Sequence, residues 1–361
     1  MGEAPGRLWQ SKRWRDLRES DLIFAQSAAA NASGALSKFS ASQNHDAVMI
    51  KEGTIPLMVV LLEYGNTEAK VNAAYFLAKL SEREKTEGKD LILKESGHTH
   101  LIKKLSMDHS DYRLPECVCE TLSSLSQYPP AVEILGQLAK SASQEKPSEE
   151  IAELALVTRL VDVLGRGWPS VQVNAAICLR NMANHNPEVQ AILVNSGCIA
   201  PLCGLVKHGT AETRKSAAQC LRSLATKSNE AKALIESEDV MKFLSNTIRE
   251  CAKKNDELDS CLAAVALAGN LCVREESRKE IKATEGIGAI VEMLKSCLET
   301  LKSKEPGKED EDEGEDGEKI KAVTEAINVA GGVLWNLSCS WDCQAEIAAV
   351  GGVKLRIELS K

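Results

Sequence analysis

A nine-residue pattern recurs seven times along the 361-residue chain, and that recurrence limits the possible folds more than any other feature. The copies are "NASGALSKF" (31–39), "NAAYFLAKL" (72–80), "CVCETLSSL" (117–125), "NAAICLRNM" (174–182), "SAAQCLRSL" (216–224), "AAVALAGNL" (263–271) and "VAGGVLWNL" (329–337). Small residues occupy the second and third positions of most copies, and apolar residues recur near the sixth and at the ninth. Apolar residues three and four apart form one buried stripe on a helix, and small residues let that helix approach a neighbouring backbone. A repeat of this size cannot bury its apolar face alone, so successive copies must stack.

A second unit precedes several copies, as in "IKEGTIPLMVVLLEYG" (50–65) and "LVNSGCIAPLCGLVKHG" (193–209). It reads as a short helix, a glycine stop, a second helix and another glycine. Gly53, Gly97, Gly197 and Gly286 hold the first stop, where a left-handed residue ends a helix at little cost. Gly65, Gly165 and Gly209 hold the second. "GNTEAK" and "GTAETR" then open the nine-residue helix with a capping side chain and an early acid. The repeating unit is therefore three helices in roughly 40 to 47 residues. Aromatic residues are only 4% of the chain, which favours helix over sheet.

The chain resembles the armadillo-repeat family, in the style of β-catenin, the adenomatous polyposis coli protein and vacuolar armadillo proteins. The segments that carry the resemblance are "ANASGALSKFSAS" (30–42), "VNAAYFLAKLSE" (71–82), "VNAAICLRNMANHNPEVQAILVNSGCIAPL" (173–202) and "GGVLWNLSCSWDCQAEIAAVGGV" (331–353). The resemblance implies an all-α fold, a right-handed α-α superhelix whose third helices line a concave groove. Residues 1–27 are expected to form a lead or capping segment. Residues 28–361 are expected to form about seven repeats and a partial eighth. Pro115 weakens the third copy, and an irregular insertion is expected at 127–150. Only a third helix is visible at the start, and "GGVKLRIELSK" stops within a second helix; unless Trp9, Trp14 and the final stub cap the ends, the exposed apolar faces there leave self-association, a capping partner or a truncated sequence as alternatives.

The same resemblance implies a site. Exposed third-helix positions are the fourth, seventh and eighth of each copy. They supply Tyr75, Lys79, Ile177, Arg180, Asn181, Gln219, Arg222, Asn270, Trp335 and Asn336, with Arg214 nearby. Lys79, Arg180, Arg214, Arg222 and Lys227 make the middle of the groove mildly basic, which suits an extended acidic or amphipathic peptide. Asn181 suits a peptide backbone, and Tyr75 and Ile177 suit apolar side chains. Isolated Lys and Arg on helix faces are more commonly just solvated; here recurrence at equivalent positions raises the set. Trp335 suits either an anchor for a ligand or packing between repeats. Trp9 and Trp14 lie in an amphipathic lead segment that would cover the first repeat. Import adaptors of the importin-α type place Trp at the fourth position and Asn at the eighth. The Trp is missing from every copy here, so that function is disfavoured.

The net charge of −8 is local. Residues 305–318 carry nine acids and one Lys, a solvated insertion beside a nearly neutral remainder. This loop could compete with acidic ligands. It lacks the ligand spacing of a calcium loop. Most of the twelve cysteines sit in apolar helical contexts such as "AAICLR", as buried thiols of a reducing cytoplasmic or nuclear compartment. There is no phosphate loop, dinucleotide fingerprint or nucleophile elbow. "CSWDC" (339–343) and "HTH" (98–100) lack convincing metal spacing. No run of 18 apolar residues occurs, so no membrane span is expected, and no nucleic acid, metal or cofactor either. The expectation is a noncatalytic scaffold or adaptor for protein partners, with a structural subunit of a cytoskeletal or axonemal assembly as the alternative.

Overall fold

The third helices set the frame. The computed structural model describes residues 19–105, 111–144, 148, 155–184, 186–254, 258–302 and 315–359, and among them every long element is an α-helix and no strand occurs. The first repeat contributes α1 (Glu19–Phe39), a third helix. The second contributes α2 (Asp46–Lys51), α3 (Thr54–Tyr64) and α4 (Thr67–Ser81). The third contributes α5 (Glu87–Lys94), α6 (Gly97–Lys104) and α7 (Arg113–Leu125), and the fourth α8 (Pro129–Ala142), α9 (Leu156–Arg166) and α10 (Pro169–Ala183). Next come α11 (Pro187–Asn195), α12 (Ile199–His208) and α13 (Ala211–Ala225), then α14 (Asn229–Glu236), α15 (Met241–Lys254) and α16 (Leu258–Leu271). The seventh repeat is α17 (Glu275–Ala283), α18 (Gly286–Lys302) and α19 (Glu315–Leu337); α20 (Trp341–Ala349) and α21 (Gly352–Leu359) begin an eighth.

The chain divides into two units, Met1–Ser196 and Gly197–Lys361. In the first, α1 packs on α4, α4 on α7 and α7 on α10; in the second, α13 packs on α16 and α16 on α19. Second helices brace third helices, with α3 on α4, α9 on α10, α12 on α13, α15 on α16 and α18 on α19. Small residues make the close approach possible: Ala73 and Ala74, Val118 and Cys119, Ala175 and Ala176, and Ala217 and Ala218 are all buried. At the ninth position Leu80, Leu125, Met182, Leu224, Leu271 and Leu337 are buried as well.

Local signals account for the helix boundaries. Asn66 caps α4 by accepting from the Ala69 N–H at 2.9 Å, and Thr210 caps α13 by accepting from Thr213 N at 3.3 Å. Gly53 and Gly197 adopt the left-handed backbone expected of them, at φ 75° and 77°. Gly97 and Gly286 differ from expectation. The left-handed residues there are Ser96 and Glu285, one position earlier, and each glycine opens a helix instead. A Cβ on Gly286 would sit 2.6 Å from both Ile281 Cγ1 and Ser245 Oγ, so space rather than backbone freedom selects glycine. The second stop expected at Gly165 falls at Gly167, which follows α9, while Gly165 lies inside the helix.

Two other expectations are refined. Pro115 sits in the first turn of α7, where its missing N–H costs no helical hydrogen bond. The stretch 127–150 is largely ordered helix: α8 spans Pro129–Ala142 and packs on α9, α10 and α11, so it serves as the first helix of the fourth repeat. The boundary expected at residue 28 falls inside α1. Trp9 and Trp14 lie outside the described residues, as does the acidic segment up to residue 314. No single described helix is long and apolar enough to cross a membrane.

Gly269 and Gly331 form a matched test. A Cβ on Gly269 would lie 2.5 Å from Val333 Cγ2, whereas one on Gly331 would meet nothing within 4 Å. Gly269→Ala should lower stability by about 1–3 kcal/mol through overpacking. Gly331→Ala should raise it by up to ~1 kcal/mol through helix propensity. Urea unfolding midpoints compare the two directly.

Candidate protein-binding faces

Each unit leaves one row of its third helices accessible. At the fourth position Tyr75, Glu120, Ile177 and Gln219 are half-buried and Gly332 is exposed; only Ala266 is buried. At the eighth, Lys79, Ser124, Asn181, Ser223, Asn270 and Asn336 are half-buried and Lys38 is exposed. The packing described above covers the second, sixth and ninth positions of most copies, so the fourth and eighth form the open edge of each stack.

In the first unit, the Lys79 ammonium is shared by two carboxylates. Its Nζ lies 3.1 Å from Glu82 Oε2 and 2.9 Å from Glu120 Oε1, and 5.6 Å from the centre of the Tyr75 ring. Partial burial opposes its charge, but hydrogen bonds to Glu120 and Glu82 prevail and push its pKa up to about 12. Burial, with a hydrogen bond shared with Glu82, pushes the Glu120 carboxyl above the usual carboxylate range. Glu82 moves the other way: burial would raise it, but hydrogen bonds from Glu120 and Lys79 hold it low. Lys79 is thus an inter-repeat clasp, and the first unit's face is less basic here than its sequence implies.

The eighth-position asparagines are also partly committed. Asn181 Nδ2 donates to Ser126 Oγ at 2.9 Å, and Asn181 Oδ1 accepts from Arg180 Nε at 3.3 Å. In the second unit Asn270 Nδ2 donates to the Arg222 carbonyl and to Thr226 Oγ1, each at 3.2 Å. Asn336 Nδ2 donates to the Gly269 carbonyl at 3.2 Å. These side chains tie each third helix to the one before it. Arg214 Nη1 donates to the Gly209 carbonyl at 3.0 Å, while Arg222 and Lys227 are exposed. Trp335 is 62% exposed and lines a cavity of about 340 Å³ with Leu334, Ser338, Gln344, Ile347 and Val353. That cavity lies between α19 and the α20–α21 pair. Trp341 is 86% exposed.

Sequence reasoning missed the staples at the first position. Asn72 Nδ2 donates to the Ala30 carbonyl at 3.1 Å, and Asn174 Oδ1 accepts from Ser123 Oγ at 2.8 Å. The repeated Asn of "VNAA" was the available signal; only the partner was illegible. Arg83 is a third staple, donating from Nη2 to the Ser40 carbonyl at 2.6 Å and pairing with Asp46 at 3.1 Å.

Among the described residues, no group of three His, Cys, Asp or Glu side chains could hold a metal ion. Burial pushes the thiols of Cys117, Cys178, Cys203 and Cys272 up to about 12, away from the reactive thiolate.

The Armadillo/beta-catenin-like repeat family matches residues 186–226, the span of α11 to α13. A designed armadillo repeat protein matches the fold with TM-score 0.53 and 16% identity, over 76% of this chain and 99% of that one. The fold is that of an armadillo-repeat array, and residues 186–226 match the armadillo repeat in sequence. A second designed armadillo repeat protein, solved in complex with the peptide (KR)4, matches with TM-score 0.51 and 17% identity, over 72% and 96%. An engineered protein matches with TM-score 0.53 and 18% identity, over 98% and 93%. No curated protein sequence matches. At these identities the solved structures speak for the armadillo fold alone.

The carboxyl pair in this armadillo array gives a signed pH test. Because the folded pKa of Glu120 is raised, its contribution to stability is present below the unfolded value and is lost as pH rises through the folded value. Gln mimics the protonated form and does not titrate. Glu120→Gln should therefore gain stability relative to the parent as pH rises from the ordinary carboxylate range through the raised folded value of Glu120. Paired urea titrations measure the difference; a flat or opposite trend contradicts the assignment.

Proposed function

We propose that this chain is a noncatalytic scaffold that holds extended segments of partner proteins against the open rows of its third helices. The observation that carries this reading is the accessibility of the fourth and eighth positions while the fifth and sixth positions between them are buried in the six later copies. An extended segment matches such a row because its side chains alternate, one set facing the helices and the other facing water. The first unit offers Tyr75 and Ile177 to apolar side chains beside the polar edge of Asn181. The second offers Gln219, Asn270 and Asn336, with Arg222 and Lys227 as exposed cations for an acidic side chain. The partners are therefore amphipathic segments carrying acidic residues, met in the cytoplasm or nucleus. The high pKa values of the buried thiols support the noncatalytic reading.

A second reading has one observation behind it. Glu82 and Glu120 outnumber Lys79 on the first unit's face, which suits a basic side chain, and a designed relative of this fold is solved with the basic peptide (KR)4.

Arrays of synthetic acidic-amphipathic and basic peptides separate the two. The main reading expects acidic-amphipathic peptides to bind, to weaken as salt rises, and to lose at least about tenfold in affinity, ~1.4 kcal/mol, on Arg222→Glu with Lys227→Glu. Selective capture of basic peptides, lost on Glu82→Lys, favours the second. Equal capture by parent and variants contradicts both.

A further inference from the structure

Two aromatic side chains stand where other repeats place a helix cap. Asn66 and Thr210 precede α4 and α13, and each accepts a hydrogen bond from an amide of the helix it opens. The residues that precede α7 and α10 are Tyr112 and Trp168, and neither side chain caps its helix. Asp111 takes over at α7, where its Oδ1 accepts from Arg113 N at 3.0 Å. At α10 the first residue is Pro169, which has no N–H to satisfy. Neighbours thus meet the folding role of the position, and the rings do not.

The rings are also in the open. Tyr112 is 49% exposed and Trp168 40%. Their centres lie 5.8 Å apart with the planes inclined at 48°, so they meet as a wedge rather than a stack, bridging the third and fourth repeats of the first unit. Neither the Tyr112 hydroxyl nor the Trp168 indole N–H bonds to another described residue. Touching aromatics that stay exposed with unused donors are the side chains that anchor a partner. The charges beside Tyr112 are unequal. The Arg113 guanidinium is shared by Asp111 at 2.7 Å and Glu68 at 3.1 Å, and Glu116 lies one turn along α7 from Tyr112. Arg166, two residues before Trp168, is paired with Asp162 at 2.5 Å. Carboxylates therefore outnumber cations among the described residues beside the pair.

We propose that the Tyr112–Trp168 pair is a docking site for a proline-rich segment of a partner protein that carries basic residues. A polyproline II strand has three residues per turn and no internal hydrogen bonds, so its carbonyls are unpaired. Its apolar proline rings pack on aromatic faces, and its carbonyls accept from the tyrosine hydroxyl and the indole N–H. Being extended before it binds, it loses little conformational freedom. The surplus of carboxylates selects Arg or Lys along its remaining edge. Tyr112 and Trp168 precede the first positions of their copies and occupy no fourth or eighth position. The site is therefore additional to the open rows of third helices, and it does not use Arg222 or Lys227.

The test is isothermal titration calorimetry on the full chain with a synthetic peptide of three Pro-Pro-Arg units, in which every Arg falls along one edge. A Gly-Ser-Arg peptide of equal length and charge and a Pro-Pro-Glu peptide are the comparisons. Pro-Pro-Arg should bind with Kd below about 100 μM, and each comparison at least about tenfold more weakly. Trp168→Ala and Tyr112→Ala should each weaken Pro-Pro-Arg at least about tenfold. Tyr112→Phe removes only the hydroxyl and should weaken it about threefold to tenfold, which keeps the test open if an alanine variant fails to fold by circular dichroism. Arg222→Glu with Lys227→Glu should leave this binding unchanged, so its failure and the failure of the acidic-segment reading are distinct results. Equal binding of Gly-Ser-Arg would show charge attraction alone and overturns the proposal. Ring variants that lower the urea midpoint but keep full affinity would make the pair an inter-repeat contact only, and overturn it too. A parent that dimerises in sedimentation velocity and becomes monomeric on Trp168→Ala would assign the pair to a second copy of the chain, with the same consequence.

Discussion

The close contact between successive third helices is the constraint on which the rest depends. It requires small residues on the packed side, as at Ala73, Ala74, Ala175 and Ala176, and at Gly269 it leaves no space for a single methyl group. Close approach brings main-chain carbonyls within reach of the next helix. Asn72, Ser124, Asn270 and Asn336 then bond to carbonyls of the third helix before them. A buried carbonyl lacking a partner is costly, so these side chains both satisfy the backbone and fix the register.

Function follows from what this stacking leaves over. Packing consumes the small and apolar positions, and the fourth and eighth remain at the open edge. The eighth position is shared: its amide nitrogen holds the neighbouring helix, and the rest of the side chain borders solvent. Lys79 is committed in the same way, with its ammonium engaged by Glu82 and Glu120 and lying 5.6 Å from the centre of the Tyr75 ring. A partner meeting the first unit therefore encounters an already neutralised cation, whereas one meeting the second encounters Arg222 and Lys227 in the open.

The three-helix unit was legible because its signals are local: the small-residue pair, the apolar ninth position, and the caps at Asn66 and Thr210. Glycine was read for the wrong reason at Gly97 and Gly286, because sequence shows that a side chain is absent but not whether backbone angle or crowding excludes it. The stretch 127–150 looked irregular because paired prolines suggest a break; at the first turn of α8 they start a helix. The charge of the face was the least legible feature. Whether Lys79 is open or clasped depends on Glu120, about forty residues away in sequence and adjacent only once α7 stacks on α4.

Hydrogen–deuterium exchange on the chain with and without a captured partner segment tests the central claim most directly, because it reads every helix at once. The account predicts added protection in the loops and terminal turns of third helices, in residues 66–82 and 169–184 of the first unit or 210–227 of the second, with first helices unchanged. Protection concentrated on α5, α11 or α14 would show that partners bind elsewhere and that the open rows of third helices are not the binding faces.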